Sequence, residues 1–355
     1  MKDSPGSLSN FTNVYALITA ANAYGQSNYE SIIENVVDVE NWMRVSAANH
    51  AAGNWDCFGS SGSGQNADAW ISPNHRWTLF TIDLGICLDN NLATAGLFGF
   101  ADNAWSQMAA RPKYGRMYYR ALNDLANGIM QAGIINPMLD AKYAAITAAG
   151  ISATAPTTTK NWISNRRTSI ISTTASANST AFALNATTLA TTTNSVTLTG
   201  TAPVEVVSIM VNGVSYTPTW TALTGWSLTV PVGSGTFNWT VAARDRNGNS
   251  IGSSYVVSVE NTGVPASPVG NVVINEIMFN AATPDGEYIE LFNRSTNTTF
   301  DLSGWVINGL DYTFPAGTSA GAAKISGAGE KQCRFCRHLQ FARPRVWHIQ
   351  RKSSV

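Results

Sequence analysis

The sequence predicts a multidomain α+β protein: a mostly helical N-terminal part with one short sheet, followed by two all-β sandwich domains. Three observations carry this. Apolar residues recur at helical spacing over 8–52, as in Val14, Leu17, Ile18 and Ala21, and again beyond residue 101, whereas from residue 181 the period falls to two. Ser/Thr/Ala-rich spacers at 152–159 and 172–180, and a Gly/Pro linker from Gly263 to Gly270, divide these segments. At residue 321 the composition turns to Arg, Cys and His. The boundaries that follow are 1–177, 181–260, a linker at 261–271, 272–320, and a basic tail at 321–355.

Within the helical part, V-D-V-E-N-W-M supplies Asp38 as an N-cap with Trp42 and Met43 facing inward. Asp38 and Glu40 fit capping or a solvated first turn better than catalysis. Residues 101–149 carry aromatic and aliphatic stripes at i, i+3, i+4, with Gly128 and Gly133 as expected stops. The run K-N-W-I-S-N-R-R, Lys160 to Arg167, continues the helical pattern and closes the first domain near 177.

Beyond 181, strands beginning near Ser195, Val206, Trp226, Phe237 and Tyr255 are separated by N-G, G-S-G and N-G-N turns. That is the pattern of an immunoglobulin-like β-sandwich. Asp245, Asn247 and Asn249 are spaced like calcium ligands, but no Glu follows at the twelfth position, which favours a plain turn.

Charged residues make up 12% of the chain, about half the usual quarter, with Thr, Ser, Asn and Ala in their place. This suits a secreted or surface protein. The net charge is zero, yet the tail holds eight Lys/Arg and one acid, Glu330, which leaves residues 1–320 with 14 basic and 21 acidic groups, a net of −7. The body therefore has no basic surplus for nucleic acid. No run of 18 apolar residues predicts a transmembrane helix, and the first six residues lack the apolar core of a signal peptide.

The stretch 49–91 holds the chemistry. A polar, Gly/Ser-rich loop carrying Asp56 and Asn66 leads to a short strand, Trp77 to Ile82, that ends in Asp83 before Leu84 and Gly85. An Asp and an Asn on a loop, then a strand-end Asp, is what phosphoryl transfer asks for: one Asp orients the attacking hydroxyl, while the Asn and second Asp hold Mg²⁺ against the phosphates. The plain alternative is a solvated loop with an Asp capping a turn. His50 and His75 fit structural and turn roles. Cys57 and Cys87 can pair only if their Cα atoms approach within about 7 Å; buried thiols are the simpler expectation.

This order, with the V-D-x-E-N-W helix before it and the W-I-x-x-R-R helix behind it, resembles the C-terminal half of the spore-coat CotH kinase-like family, an atypical protein-kinase fold. In that family a catalytic-loop Asp and a following Asn precede a W-x-x-x-x-W-D strand end; the matching residues are Asp56, Asn66, Trp77 and Asp83. The resemblance implies a kinase-like C-lobe with Asp56 catalytic, Asn66 and Asp83 as metal and nucleotide-site ligands, ATP and Mg²⁺ as cofactors, and transfer of the γ-phosphoryl group to protein Ser/Thr hydroxyls. Ile82 stands where the family has an aromatic, Gly85 where a second acid is common, and the Asp56–Asn66 loop is long. It also implies an N-lobe with a Gly-rich strand pair and a phosphate-binding Lys, which residues 1–48 are too short and too helical to supply. The competing expectation is a non-catalytic bacterial surface scaffold or adhesion protein with a degenerate kinase-like domain. Either way the expected location is extracellular or on the cell surface, with a protein substrate or surface partner.

Further on, V-I-N-E-I-M-F-N from Val273, G-E-Y-I-E-L-F-N from Gly286, D-L-S-G-W-V-I from Asp301 and Y-T-F-P-A-G-T from Tyr312 resemble the lamin-tail domain, a second immunoglobulin-like sandwich, over roughly 272–319. Ile274, Ile277, Tyr288, Ile289, Leu291, Leu302 and Trp305 supply its apolar strand faces; Glu276, Glu287 and Glu290 fit strand-pairing polars better than a carboxylate site. After Ala320 no strand period is visible. Cys333, Cys336, His338 and His348 lack the usual second-pair spacing of a zinc site, and a frameshifted gene end is the preferred expectation, making the lamin-tail domain partial.

Overall fold

A computed structural model describes residues 11–58, 66–71, 76–98, 102–264, 266–278, 288–308, 312–315, 318–321, 333–336 and 348–351. His75, Glu287 and His338 lie outside these residues. The chain divides into two compact units, Met1–Thr180 with the short segments Pro203–Glu205 and Ala222–Thr224, and the remainder.

The first unit is helical around one hairpin. Helices α1 (Thr12–Ala21), α2 (Tyr29–Val36) and α3 (Val39–Ala51) precede strands β1 (Ala67–Ile71) and β2 (Trp77–Thr81), and α4 (Asn103–Ala109), α5 (Pro112–Asn127), α6 (Ala132–Ala148) and α7 (Thr157–Ser179) follow. Helix α3 is the centre. The Asp38 carboxylate caps it by accepting from Asn41 N at 3.1 Å, as expected of an Asp at an N-cap. Trp42, Met43, Ser46, Ala47 and His50 bury one stripe against the core, where Met43 packs with Tyr114, Tyr118 and Leu122 of α5 and Trp42 stacks on Trp105 of α4 at 4.9 Å.

Behind α3 runs a buried polar chain. Arg166 of α7 donates to the carbonyls of His50 (2.5 Å) and Ala93 (3.1 Å). Tyr118 donates its hydroxyl proton to the Leu97 carbonyl, so the 2.5 Å contact between His50 Nδ1 and Tyr118 Oη requires the proton on Nδ1. Burial first, and then the neighbouring Arg166 charge, lower the His50 pKa to about 4, against a smaller opposing effect of the Leu97 backbone.

Two expectations about the helical part are corrected. The Ser/Thr-rich stretches at 152–159 and 172–180 are not both spacers: residues from Thr157 to Ser179 form one helix. Ile163, Arg166, Ile170, Thr174 and Ala177 recur at three- and four-residue steps and are all buried. The Thr174 hydroxyl bonds back to the Ile170 carbonyl at 3.0 Å, so its polar group is satisfied within the helix. Tertiary burial outweighs weak intrinsic propensity here. Gly128 does end α5, but Gly133 lies inside α6 as its second residue.

The second unit holds two sandwich-like bodies. In the first, strands β3 (Ala183–Leu184), β5 (Ser195–Thr201), β8 (Thr219–Trp220) and β9 (Gly225–Pro231) form a sheet in the order β3-β5-β9-β8. Strands β4 (Thr188–Thr191), β6 (Ser208–Val211), β7 (Val214–Tyr216), β10 (Gly235–Arg244) and β11 (Ser250–Asn261) form the other, in the order β4-β11-β10-β6-β7. Val196, Leu198, Trp226 and Leu228 from one sheet share a core with Ile209, Val241, Val257 and Val259 from the other. Gly200, in the L-T-G-T-A-P run, is needed for close approach: a Cβ there would stand 2.0 Å from the Ala183 carbonyl and 2.8 Å from the Trp226 ring. Both oxygens of Asp245 are engaged inside their own turn, Oδ1 by the amides of Asn247 and Asn249 at 2.8 Å and Oδ2 by Asn249 Nδ2 at 3.0 Å. Asp245 thus makes the turn expected of an Asx residue.

In the second body, β12 (Val272–Met278), β13 (Tyr288–Asn293) and β18 (Cys333–Cys336) form one sheet. Strands β14 (Phe300–Asp301) and β17 (Ser319–Ala320) pair, and β16 (Tyr312–Thr313), β15 (Trp305–Asn308) and β19 (His348–Arg351) form another sheet. Ile289, Leu291, Phe300, Leu302, Ile307 and Phe314 are its core. Buried Asn293 donates to the carbonyls of Thr298, Ala320 and Gly321 at 2.7–3.0 Å, tying the end of β13 to the chain beyond β17. The tail, expected to be without strand period, contributes β18 and β19, paired with β13 and β15.

Two outcomes test this account. Ile170 is fully buried, so Ile170→Ala is expected to cost about 3 kcal/mol in urea unfolding; a change within about 0.5 kcal/mol is what a solvated spacer would give. For His50, the folded pKa lies below the unfolded one, so as pH falls the unfolded chain takes up the proton first. The stability is present above the unfolded pKa of about 6.5 and is lost as pH falls towards the folded value. Between pH 7 and 5 the native chain should therefore lose about 2 kcal/mol more than His50→Gln; parallel pH profiles for the two would contradict this.

Candidate functional site

The candidate residues sit where α3 ends and the hairpin begins. Strand β2 is held along α3 by three hydrogen bonds: Asp38 N to the Trp77 carbonyl at 3.0 Å, Trp42 Nε1 to the same carbonyl at 3.0 Å, and Leu79 N to Asn41 Oδ1 at 2.7 Å. The far edge of β2 pairs with β1 in a register that sets Ala67 opposite Thr81. One step further, Ile82 N donates to the Asn66 carbonyl at 3.3 Å. Asn66 therefore lies opposite Ile82, and Asp83 is the next residue.

Asn66 reaches back to the upstream loop. Its Nδ2 donates to the Asp56 carbonyl at 2.8 Å and to Asp56 Oδ2 at 2.9 Å. The sequence-predicted trio is thus gathered at one end of the hairpin, with Asp56 and Asn66 in direct contact. Asp56 and Asn66 are half-buried and Asp83 is exposed. Asn66 and Asp83 both have left-handed backbones, φ 61° and 50°, a region that Asn and Asp enter at less cost than most residues. Asp83 Oδ1 accepts from Gly85 N at 3.1 Å, and a Cβ at Gly85 would stand 3.1 Å from that same oxygen. The Gly in place of a second acid is therefore part of the turn that aims Asp83.

With Asn66 Nδ2 committed to Asp56, Asn66 Oδ1 and the carboxylate oxygens of Asp83 make an all-oxygen donor set, the chemistry that hard cations such as Mg²⁺ require. Among the described residues no group of three or more His, Cys, Asp or Glu side chains comes together, so any cation here would rest on these two side chains and on oxygens from outside the protein. The loop after Asp83 is anchored from behind: Leu88 N donates to the Ala52 carbonyl at 2.7 Å and Trp162 Nε1 to the Asn91 carbonyl at 2.6 Å. Cys57 and Cys87 are both thiols; Cys57 is buried, and the Cys87 thiol lies 3.0 Å from the Leu84 carbonyl. His50 is spent on Tyr118 and does not belong to the trio.

Sequence reasoning missed Asn41 and Asn49. Asn41 Oδ1 fixes β2, as above. Asn49, also on α3, accepts from Asn54 Nδ2 and from the Thr81 hydroxyl, both at 3.2 Å. The available signal was two Asn inside a helix, where that residue is a poor former and where burial demands a partner.

No helix among the described residues is long and apolar enough to cross a membrane. No curated protein matches the chain. Among solved structures, the fibronectin(III)-like modules of Clostridium thermocellum CbhA are 16% identical over 24% of this chain and 99% of that one, with a TM-score of 0.18. A Bacteroides ovatus protein, SGBP-B of a mixed-linkage glucan utilization locus, solved with a mixed-linkage heptasaccharide, is 18% identical over 46% of this chain and 41% of that one, with a TM-score of 0.19. Residues 265–354 match the family model of the lamin tail domain. The match runs past residue 320 through the strands β18 and β19, and places a lamin tail domain, of immunoglobulin-like fold, in the C-terminal body.

Proposed function

We propose that the first unit is the C-lobe of an atypical, CotH-like protein kinase that transfers the ATP γ-phosphoryl group to a protein hydroxyl. The observation that carries this is the Asn66 carboxamide bonded to the Asp56 carboxylate at 2.9 Å, at the hairpin end that also presents Asp83. Asp56 is held in place to orient the attacking hydroxyl and to accept its proton. The hydroxyl oxygen gains the bond to phosphorus as the bond to the ADP oxygen breaks. Asn66 Oδ1 and Asp83 would hold Mg²⁺, which would neutralise charge on the phosphates. The low charge content and the lamin tail domain accord with a place outside a bacterial cell and with a protein as substrate or surface partner.

One observation favours a second reading, a non-catalytic surface scaffold. Asp83 Oδ1 is engaged by Gly85 N, and no acid stands at residue 85 to complete a stronger metal site. The two readings part on ligand binding. On the kinase reading, Mg-ATP raises the Tm of the full chain, by the equivalent of about 2.7 kcal/mol at a hundredfold excess over Kd, and Asp83→Ala removes the shift. No shift in the unmutated protein leaves the scaffold reading.

A further inference from the structure

Asn49 occupies a place that packing alone does not explain. It is 5% exposed near the end of α3, where an aliphatic residue would serve the core better. Instead its side-chain oxygen takes two donors from two different chain segments. Asn54 Nδ2 comes from the turn that leads, two residues on, to Asp56; the Thr81 hydroxyl comes from the end of β2, two residues before Asp83. The Asn49 carbonyl also accepts from Asn54 N at 2.9 Å. Asn54 is 1% exposed, and its own Oδ1 has no hydrogen-bond partner within the protein, an arrangement that costs stability. Gly53, just before it, has φ +68°, and a Cβ there would meet the Trp162 ring at 2.8 Å. Only glycine fits this left-handed, tightly packed position, and with Asn54 Oδ1 unsatisfied the turn is held for its geometry.

We propose that Asn49 is a positioning residue that sets the distance between Asp56 and Asp83, by joining the Asn54 turn and the Thr81 strand end through one side-chain oxygen, and so tunes Mg²⁺ binding at the site. This rests on the kinase reading above. It adds to that reading a residue that touches neither metal nor nucleotide. Removing a partner hydrogen-bonded directly to a metal ligand costs about 10- to 100-fold in affinity; Asn49 acts one step further out, through the segments that carry Asp56 and Asp83.

The test is calorimetric titration of Mg²⁺ into the full chain at saturating ATP, for the unmutated protein, Asn49→Leu, Thr81→Val and the double variant. The expected result is Mg²⁺ binding weakened about tenfold by Asn49→Leu, with the double variant no weaker than the more affected single one, because both remove the same link. A lowered Tm with unchanged Mg²⁺ affinity would show Asn49 to be structural only and overturns the proposal. If Asn49→Leu does not fold, Thr81→Val decides: weakened Mg²⁺ binding supports the link and unchanged binding overturns it. If the unmutated chain takes up no Mg²⁺ with ATP, the kinase reading itself fails and this inference with it, an outcome distinct from the previous ones.

Discussion

The hydrogen bond from Leu79 N to the Asn41 side chain, with the two bonds to the Trp77 carbonyl beside it, is the constraint on which the first unit depends. A two-stranded hairpin is marginal by itself in water. Here the second edge of β2 is not left open: α3 supplies the groups that a third strand would. Once β2 is fixed to α3, pairing with β1 fixes Asn66, and Asn66 in turn fixes Asp56. Backbone register sets Asn66 opposite Ile82, next to Asp83, and the Asn66 side chain then holds Asp56 through its carbonyl and carboxylate.

Much of this was legible in the sequence where a local rule and the tertiary structure agree. The Asp38 cap, the inward Trp42 and Met43 and the change of period near 181 all follow from neighbours within a few residues. Asp56, Asn66 and Asp83 were grouped by their order and flanks; the structure brings Asn66 into contact with Asp56 and sets it opposite the residue before Asp83. What escaped were cases where a distant partner overrules a local preference. Ser and Thr suggested a spacer, yet Ile163, Ile170 and Ala177 give α7 a buried face that its composition hides. Gly133 is tolerated in the first turn of α6 because a helix start places few demands on it. Asn49 gave no signal beyond being an Asn in a helix, because its donors lie on Asn54 and Thr81. The strands in the tail carry no alternating pattern and take their place by pairing with β13 and β15.

The two bodies of the second unit solve the same problem differently. The first has nine strands and a large shared core, with Trp226 wedged over Gly200 and its Nε1 satisfied by the Thr201 carbonyl at 3.0 Å. The lamin tail domain has shorter strands and a smaller core among the described residues. Polar side chains there do more of the joining. Asn293 ties three carbonyls, and Asn275 donates to buried Glu290 across β12 and β13. Glu290 of the Y-I-E-L run is thereby drawn into the sheet, as its alternation favoured.

Charge sharpens the contrast between the interior and the candidate site. The buried supports around α3 are uncharged amides, hydroxyls and a histidine that burial keeps neutral, and the buried Arg166 beside them donates to the carbonyls of His50, Ala93 and Ala95. Neutral partners are what a low-dielectric interior accepts at least cost. The carboxylates are placed instead at the margin, where Asp83 faces solvent and forms no ion pair among the described residues. A fold using Asp83 merely to end a strand would gain as much from Asn, which makes the same turn without charge. Asp83 is an exposed carboxylate in a left-handed turn, braced by Gly85 and set one residue beyond the partner of Asn66, and its charge is the part of that turn which the turn itself does not need.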